Sequence, residues 1–187
     1  MIDIETRSLW SHILGQAKQG PLEGRQLETL PSLITDWKTW SESHPESSVA
    51  KMSRTATQFR RQTYSRPERF MVGMLVGDKV RGWAYDQLQS QAVVNDQFSE
   101  LPLLVTYLAE SGTAAIFDRR VAEQTLTFET AEEKMVDNQT GSRWEMATGR
   151  AVSGQLEGQR MKRLVGVVSY RNAWDAFHPE TEYWESE

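Results

Sequence analysis

Residues 1–49 return without a gap as residues 135–183, and any fold for this chain has to house both stretches. Met1-Ile-Asp-Ile-Glu-Thr-Arg-Ser-Leu-Trp10 is matched by Met135-Val-Asp-Asn-Gln-Thr-Gly-Ser-Arg-Trp144. Gly20-Pro-Leu-Glu-Gly24 is matched by Gly154-Gln-Leu-Glu-Gly158, and His44-Pro-Glu46 by His178-Pro-Glu180. Of the 49 aligned positions 16 are identical, including Trp10/Trp144, Trp40/Trp174 and three glycine pairs. Identity held at one fixed offset marks an internal repeat. It predicts one whole unit preceded by the tail of another: a partial repeat over 1–49, a basic linker over 50–69 and a full β-rich unit over 70–187.

Within each tail the signals follow one order. Asp137-Asn-Gln-Thr-Gly141 is a turn cluster, followed by the strand-like Ser142-Arg-Trp144. The first copy has Arg7 where the second has Gly141, so either Arg7 takes a left-handed conformation or the two turns differ. Gly20 to Gly24 and Gly154 to Gly158 read as tight loops. A short helix follows, with Thr35 or Ser169 as its N-cap and Pro45 or Pro179 just past its end. Trp37, Trp40 and His44 fall on one helical face, as do Tyr170, Trp174 and Phe177, and both faces are predicted to be buried.

The middle of the chain reads as strands. Phe70-Met-Val-Gly-Met-Leu-Val76 and Lys79-Val-Arg-Gly-Trp-Ala-Tyr85 flank Gly77-Asp78, a two-residue hairpin link. Leu101-Pro-Leu-Leu-Val-Thr-Tyr107, Thr113 to Phe117 and Gln124 to Phe128 continue the pattern. The expected fold is mainly β (α+β), an antiparallel sheet or partly closed barrel with one short helix per repeat. Residues 50–69, with Arg54, Arg60, Arg61, Arg66 and Arg69 among polar residues, offer little apolar area to offset ordering entropy. They read as a linker packing on the protein's own carboxylates, the other reading being an anion-binding arm.

Composition excludes several classes of function. The chain has no cysteine, which removes disulfides, thiolate metal sites and cysteine nucleophiles. Its formal net charge of −5 argues against general binding of nucleic acid or anionic membranes. No apolar run approaches the roughly 18 residues of a membrane span, and the N-terminus lacks a secretory pattern. The compartment is unknown from this sequence, with a soluble, cytoplasmic setting as the default, and no cofactor or metal is expected.

His44 and His178 occupy equivalent places at a helix end, each followed by proline. No His-x-His or His-x-x-x-His spacing supports a metal, so an imidazole capping the helix and packed by Trp40 or Trp174 is the structural reading. His12 aligns with Met146 and is not required by the repeat. Asn95-Asp96 and Asp118-Arg119-Arg120 border the predicted strands, where sites are commonly built. Asp118 and Asp96 are the catalytic candidates, with Asn95, Arg119 and Tyr107 as binding candidates. The alternative for these groups is turn formation and an ordinary surface ion pair.

Taken in order, Val93-Val-Asn-Asp96, Pro102 to Tyr107, Gly112-Thr-Ala-Ala-Ile-Phe-Asp-Arg119, D-x-x-T-G-S-x-W over Asp137 to Trp144, and His178-Pro-Glu-Thr181 resemble the prokaryotic family known as domain of unknown function DUF3179. The resemblance covers nearly all of 66–184, and no activity comes with it. It implies tandem two-unit relatives, often of exported appearance, with a Cys-x-x-Cys directly after the tyrosine. Here those positions hold Leu108 and Ser111, so thiol chemistry is lost. The leading expectation is an uncharacterised non-catalytic binding or structural domain. The alternative is an enzyme or ligand-processing domain with a polar cleft around Asn95, Asp96, Asp118 and Arg119. The apolar residues of 1–49 need a cover, from this chain or from a second copy in a homodimer.

Overall fold

The structure is a computed structural model that describes residues 1–11, 15–49, 66–131 and 134–186. The expected linker is described only at 66–69; its residues 50–65, and His12, lie outside the described residues. The chain forms two compact units, Met1–Pro31 and Ser32–Glu187. In the first, β1 (Leu9–Ser11) and β2 (Gln16–Gln19) pair antiparallel, with a register shift between Leu9 and Trp10. The second opens with α1 (Trp37–Ser43). After a 3-10 turn at Pro67–Arg69 come β3 (Phe70–Val76), β4 (Lys79–Ala84) and α2 (Tyr85–Ser90). The chain continues through β5 (Val93–Phe98), β6 (Leu101–Leu108), β7 (Thr113–Asp118), β8 (Arg120–Val121) and β9 (Gln124–Thr125). Then follow β10 (Phe128–Ala131), β11 (Lys134–Asp137), β12 (Arg143–Trp144), β13 (Ala151–Ser153), β14 (Val167–Tyr170), α3 (Arg171–Phe177) and β15 (Glu182–Tyr183).

Three sheets carry the larger unit, in the orders β14-β3-β4-β15, β5-β6-β7 and β10-β11-β12-β13. β5-β6-β7 is the middle layer. Val94, Phe98, Leu103, Val105 and Ile116 face a core shared with Val72 and Trp83 of the first sheet and with Tyr85 and Leu88 of α2. Val93, Leu104, Ala115 and Phe117 point the other way, into a core with Phe128, Met135 and Trp144 of the third. With both faces covered, β6 is buried at six consecutive positions, which is why it reads as an unbroken apolar run and not as an alternation. The architecture is thus mainly antiparallel β with a few short helices, and its sheets do not close into a barrel. Among the described residues, the pairing of β15 with β4 is the parallel exception.

The Gly77-Asp78 link joins Val76 to Lys79 as the sequence predicts. α2 is an addition: β4 stops at Ala84, and Tyr85 and Leu88 bury one side of a helix too short to show a period.

The two tails build the same local structure. Asp3 accepts the Thr6 backbone N–H at 2.6 Å and the Trp10 indole N–H at 2.9 Å; Asp137 accepts those of Thr140 and Trp144 at the same distances. The Leu22 N–H donates to the Ser8 hydroxyl at 3.1 Å, and that of Leu156 to Ser142 at 3.0 Å. Arg7 is left-handed at φ 60° where Gly141 has 69°, so the turns agree and Arg7 tolerates the conformation. The N-cap of α1 is Asp36, one residue past the expected Thr35, with its carboxylate on the Thr39 N–H at 2.7 Å; Tyr170 takes that place in α3. The helix faces are not buried as wholes: Trp174 is covered, whereas Trp37 is 48% and Phe177 62% exposed.

Candidate functional site

Asn95 and Asp96 lie inside β5, not in a turn. Asp96 and Asp118 both stand opposite Leu103, one on each side of β6, and so share a face of the middle sheet. Asp96 receives Arg81 Nε and Nη2, each at 3.1 Å, together with the Trp83 indole N–H at 3.0 Å and the Gln97 N–H at 2.8 Å. The hairpin β3–β4 is thereby tied to the middle sheet by a part-buried ion pair in which both oxygens of Asp96 are engaged.

Asp118 takes a two-pronged contact from Arg120, Nη2 to Oδ2 at 2.6 Å and Nε to Oδ1 at 2.9 Å, and the Arg120 backbone N–H at 2.9 Å. The Arg120 hydrogen bond holds the Asp118 carboxyl below the usual carboxylate range, although burial works against it. Arg119 is buried and donates to the carbonyls of Leu126 at 2.8 Å and Asp96 at 3.3 Å. Asn95 exchanges two hydrogen bonds with the Phe128 backbone, at 2.7 and 2.8 Å, and so splices β5 to β10. Tyr107 is buried with its ring centroid 4.8 Å from that of Tyr85. The five predicted residues thus belong to one sheet and its margin, where Asn95, Asp96, Asp118 and Arg119 hold strands and neighbouring sheets together.

An open cleft lies elsewhere in the same unit, with a volume of about 400 Å³. α1 supplies Thr39, Glu42 and Ser43 to it; Leu108, Lys134, Trp144 and Met146 are among the residues from the sheets. Trp144 is oriented by Asp137, and Glu145, also at the cleft, bonds Thr148 at 2.6 Å and Arg150 at 3.0 Å. Burial opposes ionisation of Glu145, and those two partners outweigh it, leaving the carboxyl below its ordinary value. Leu108, at a position where the resemblance implies a cysteine, lines this cleft. Ser111, at the other, is buried in a hydroxyl chain, 2.6 Å from Thr113, which donates to Thr35 at 2.8 Å.

Sequence reasoning missed the cleft, because its polar members come from α1, β11 and the loop after β12 with no spacing that links them. It also missed Arg81 and Trp83 as the partners of Asp96. The histidines pack on the indoles as expected, with ring centroids 4.0 and 4.5 Å away, but the helix-end bonds come from the backbone and not from the imidazole. The backbone N–H of His44 bonds Trp40 O at 2.9 Å and that of His178 bonds Trp174 O at 2.8 Å, while Nδ1 of His44 is buried without a hydrogen-bond partner among the described residues. Among the described residues, no group of three or more His, Asp or Glu is placed to hold a metal ion. No described helix is long and apolar enough to cross a membrane.

No curated protein and no solved structure matches the chain. One family model does, twice, over residues 1–69 and again over 54–186. Those two matches cover both tails and the whole of the three-sheet unit, and the chain therefore belongs to the family described as Protein of unknown function (DUF3179).

Proposed function

We propose that this chain is a non-catalytic binding domain, built as the tail of one family unit followed by a full unit, and that its ligand site is the cleft between α1 and the β10–β13 sheet. One observation carries the reading: the carboxylates that sequence offers for catalysis are committed to structure. Each oxygen of Asp96 and of Asp118 accepts two hydrogen bonds from the protein, so acting as a base would cost those bonds. The cleft, by contrast, combines the Leu108 and Met146 side chains with Thr39, Glu42 and Lys134, in a volume at the small end of the roughly 300–1,000 Å³ typical of ligand pockets. That combination suits a small molecule with an apolar body and a polar end. Asn95, Arg119 and Tyr107 serve on this reading as structural members of the middle sheet.

The test is a fragment titration followed by NMR on the Met146 methyl and the Trp144 indole N–H. The expected outcome is hits that move both signals and are lost in Thr39→Trp, which fills the cleft from the rim. Turnover of any small-molecule class that disappears in a folded Asp118→Ala variant overturns the proposal.

A further inference from the structure

In the full unit, β14 pairs with β3 from Tyr170↔Phe70 to Val167↔Gly73, and β15 pairs with β4 at Glu182↔Arg81 and Tyr183↔Gly82. The β3–β4 hairpin therefore sits between the strands that flank α3. Trp174 of α3 lies over Gly73 so closely that a Cβ there would stand 2.3 Å from the indole. A hairpin with glycine at this point fills the seat and leaves Trp174 only 4% exposed.

The counterparts at the first tail are residues 33–36, α1 and residues 48–49. α1 has the 7-residue length of α3 and the same C-cap geometry, His44 at φ −139°, ψ 68° against His178 at φ −134°, ψ 67°. Yet neither 33–36 nor 48–49 is in a strand. An open groove of about 690 Å³ is lined by these two segments and by Trp37 and Trp40. Ile34, Trp37 and Val49 are 53%, 48% and 59% exposed along it. Among the described residues, the filled seat and the open one share their sequence register and their helix, and differ in whether a hairpin lies in them.

We propose that this groove docks a β-hairpin of the kind formed by residues 70–84, supplied from outside residues 1–187. The hairpin inserts between 33–36 and 48–49 with a glycine against Trp40. Backbone hydrogen bonds along 33–36 supply strand addition, and covering Trp37, Ile34 and Val49 supplies the apolar part. A second copy of this chain is a poor donor, because its hairpin already has β14 on one edge, β15 on the other and Trp174 over its glycine. The groove uses other residues of α1 than the ligand cleft does, so the two proposals stand or fall separately.

The probe is a cyclised peptide with the sequence of residues 70–84, since an isolated two-stranded hairpin is only marginally stable. It is titrated into the full chain by calorimetry, with the Trp40 indole N–H followed by NMR. The expected result is saturable binding of one peptide per chain that shifts the Trp40 signal. Binding should be weakened by about tenfold or more in the Gly73→Val peptide, whose added side chain meets the indole, and similarly in Trp40→Ala protein. The peptide variant leaves the protein untouched, so its result does not depend on whether Trp40→Ala folds. No saturable binding, or equal binding by the Gly73→Val peptide, overturns the proposal. So does a homodimer that Trp40→Ala dissociates, which assigns the face to a second copy.

Discussion

Gly73→Ala should destabilise the Ser32–Glu187 unit through one collision, and the structure bounds its size. The new Cβ would stand 2.3 Å from Cζ2, 2.4 Å from Cη2 and 2.7 Å from Cε2 of Trp174, all atoms of a rigid ring. Gly73 is a strand residue without a positive φ, so the backbone itself accepts alanine. Taken alone the change would add roughly 0.5–1 kcal/mol by restricting the unfolded chain. Against this, a ring that shifts within its seat costs the overpacking penalty of about 1–3 kcal/mol. A ring that is expelled loses the burial of about 150–250 Å², worth roughly 4–6 kcal/mol at about 25 cal/mol per Å². It also loses the Trp174 indole bond to the Thr181 hydroxyl, 2.9 Å long and worth about 1 kcal/mol. The indole is held by Met71 and Val80 as well as by Gly73, so a partial shift is the expected response, with a net loss of up to about 2.5 kcal/mol once the entropy gain is subtracted. Urea unfolding of Gly73→Ala, Trp174→Ala and the double variant measures it. Without the ring, Gly73→Ala should be neutral or stabilising by about 0.5–1 kcal/mol. A cost that is equal in both backgrounds within about 0.5 kcal/mol refutes the collision.

Asp118 should give an acid-sensitive contribution to stability. Its folded pKa lies below the ordinary value of about 3.9, because Arg120 bonds the charged form. The contribution is therefore complete above the unfolded value and is lost as pH falls through the folded one. The stability gap between the native protein and Asp118→Asn, about 1 kcal/mol given the half-exposed Arg120, should be level from about pH 5 to 7 and close below about pH 4; a gap that widens on acidification contradicts it. Arg7→Gly should stabilise the Met1–Pro31 unit by about 0.5–1 kcal/mol, since a left-handed residue with a Cβ costs about 1–2 kcal/mol and glycine returns part of that as entropy. Slower hydrogen exchange at the Ala17 N–H, which bonds Arg25 O, is the readout, and faster exchange counts against it.

Much of the fold was legible because it rests on short-range chemistry that recurs. The D-x-x-T-G-S-x-W string encodes a complete local device: a carboxylate that takes a turn N–H, a hydroxyl and an indole N–H within seven residues. In the first tail the Thr6 N–H, with the Trp10 indole next, pulls the Asp3 carboxyl down to about 2. The hairpin was legible from the glycine at its link, and β6 from its unbroken apolar run. What the sequence could not show were the meetings between distant segments. Arg81, Trp83 and Asp96 come together because two separate sheets stack, and the cleft because α1 lies near β11 and β12. Neither has a spacing that a single strand or helix imposes. The burial of the helix faces failed for the same reason: Trp40 and Trp174 stand in one register, and only the partner supplied by a distant hairpin makes the second a core residue.

That difference between the two indoles bears on how tightly a docked hairpin would be held. Leu33 packs on the core between the middle and third sheets, and Thr35 is tied through Thr113 to Ser111 in the β6–β7 turn. Because Thr113 donates its hydroxyl proton to Thr35, it can only accept from Ser111, so the chain of three hydroxyls has a single direction and every member is engaged. Asp36 then caps α1, and His44 closes its far end on Trp40 O. The segment that would receive the hairpin is therefore anchored at the strand position, at the helix start and at the helix end before any partner arrives. An anchored seat loses little conformational entropy on binding, so a larger share of the apolar and backbone contacts appears as affinity. Cutting the hydroxyl chain with Thr113→Val should weaken hairpin binding without touching the groove itself, whereas the Gly73→Val peptide tests the contact directly. The two effects separate how the seat is held from what it recognises.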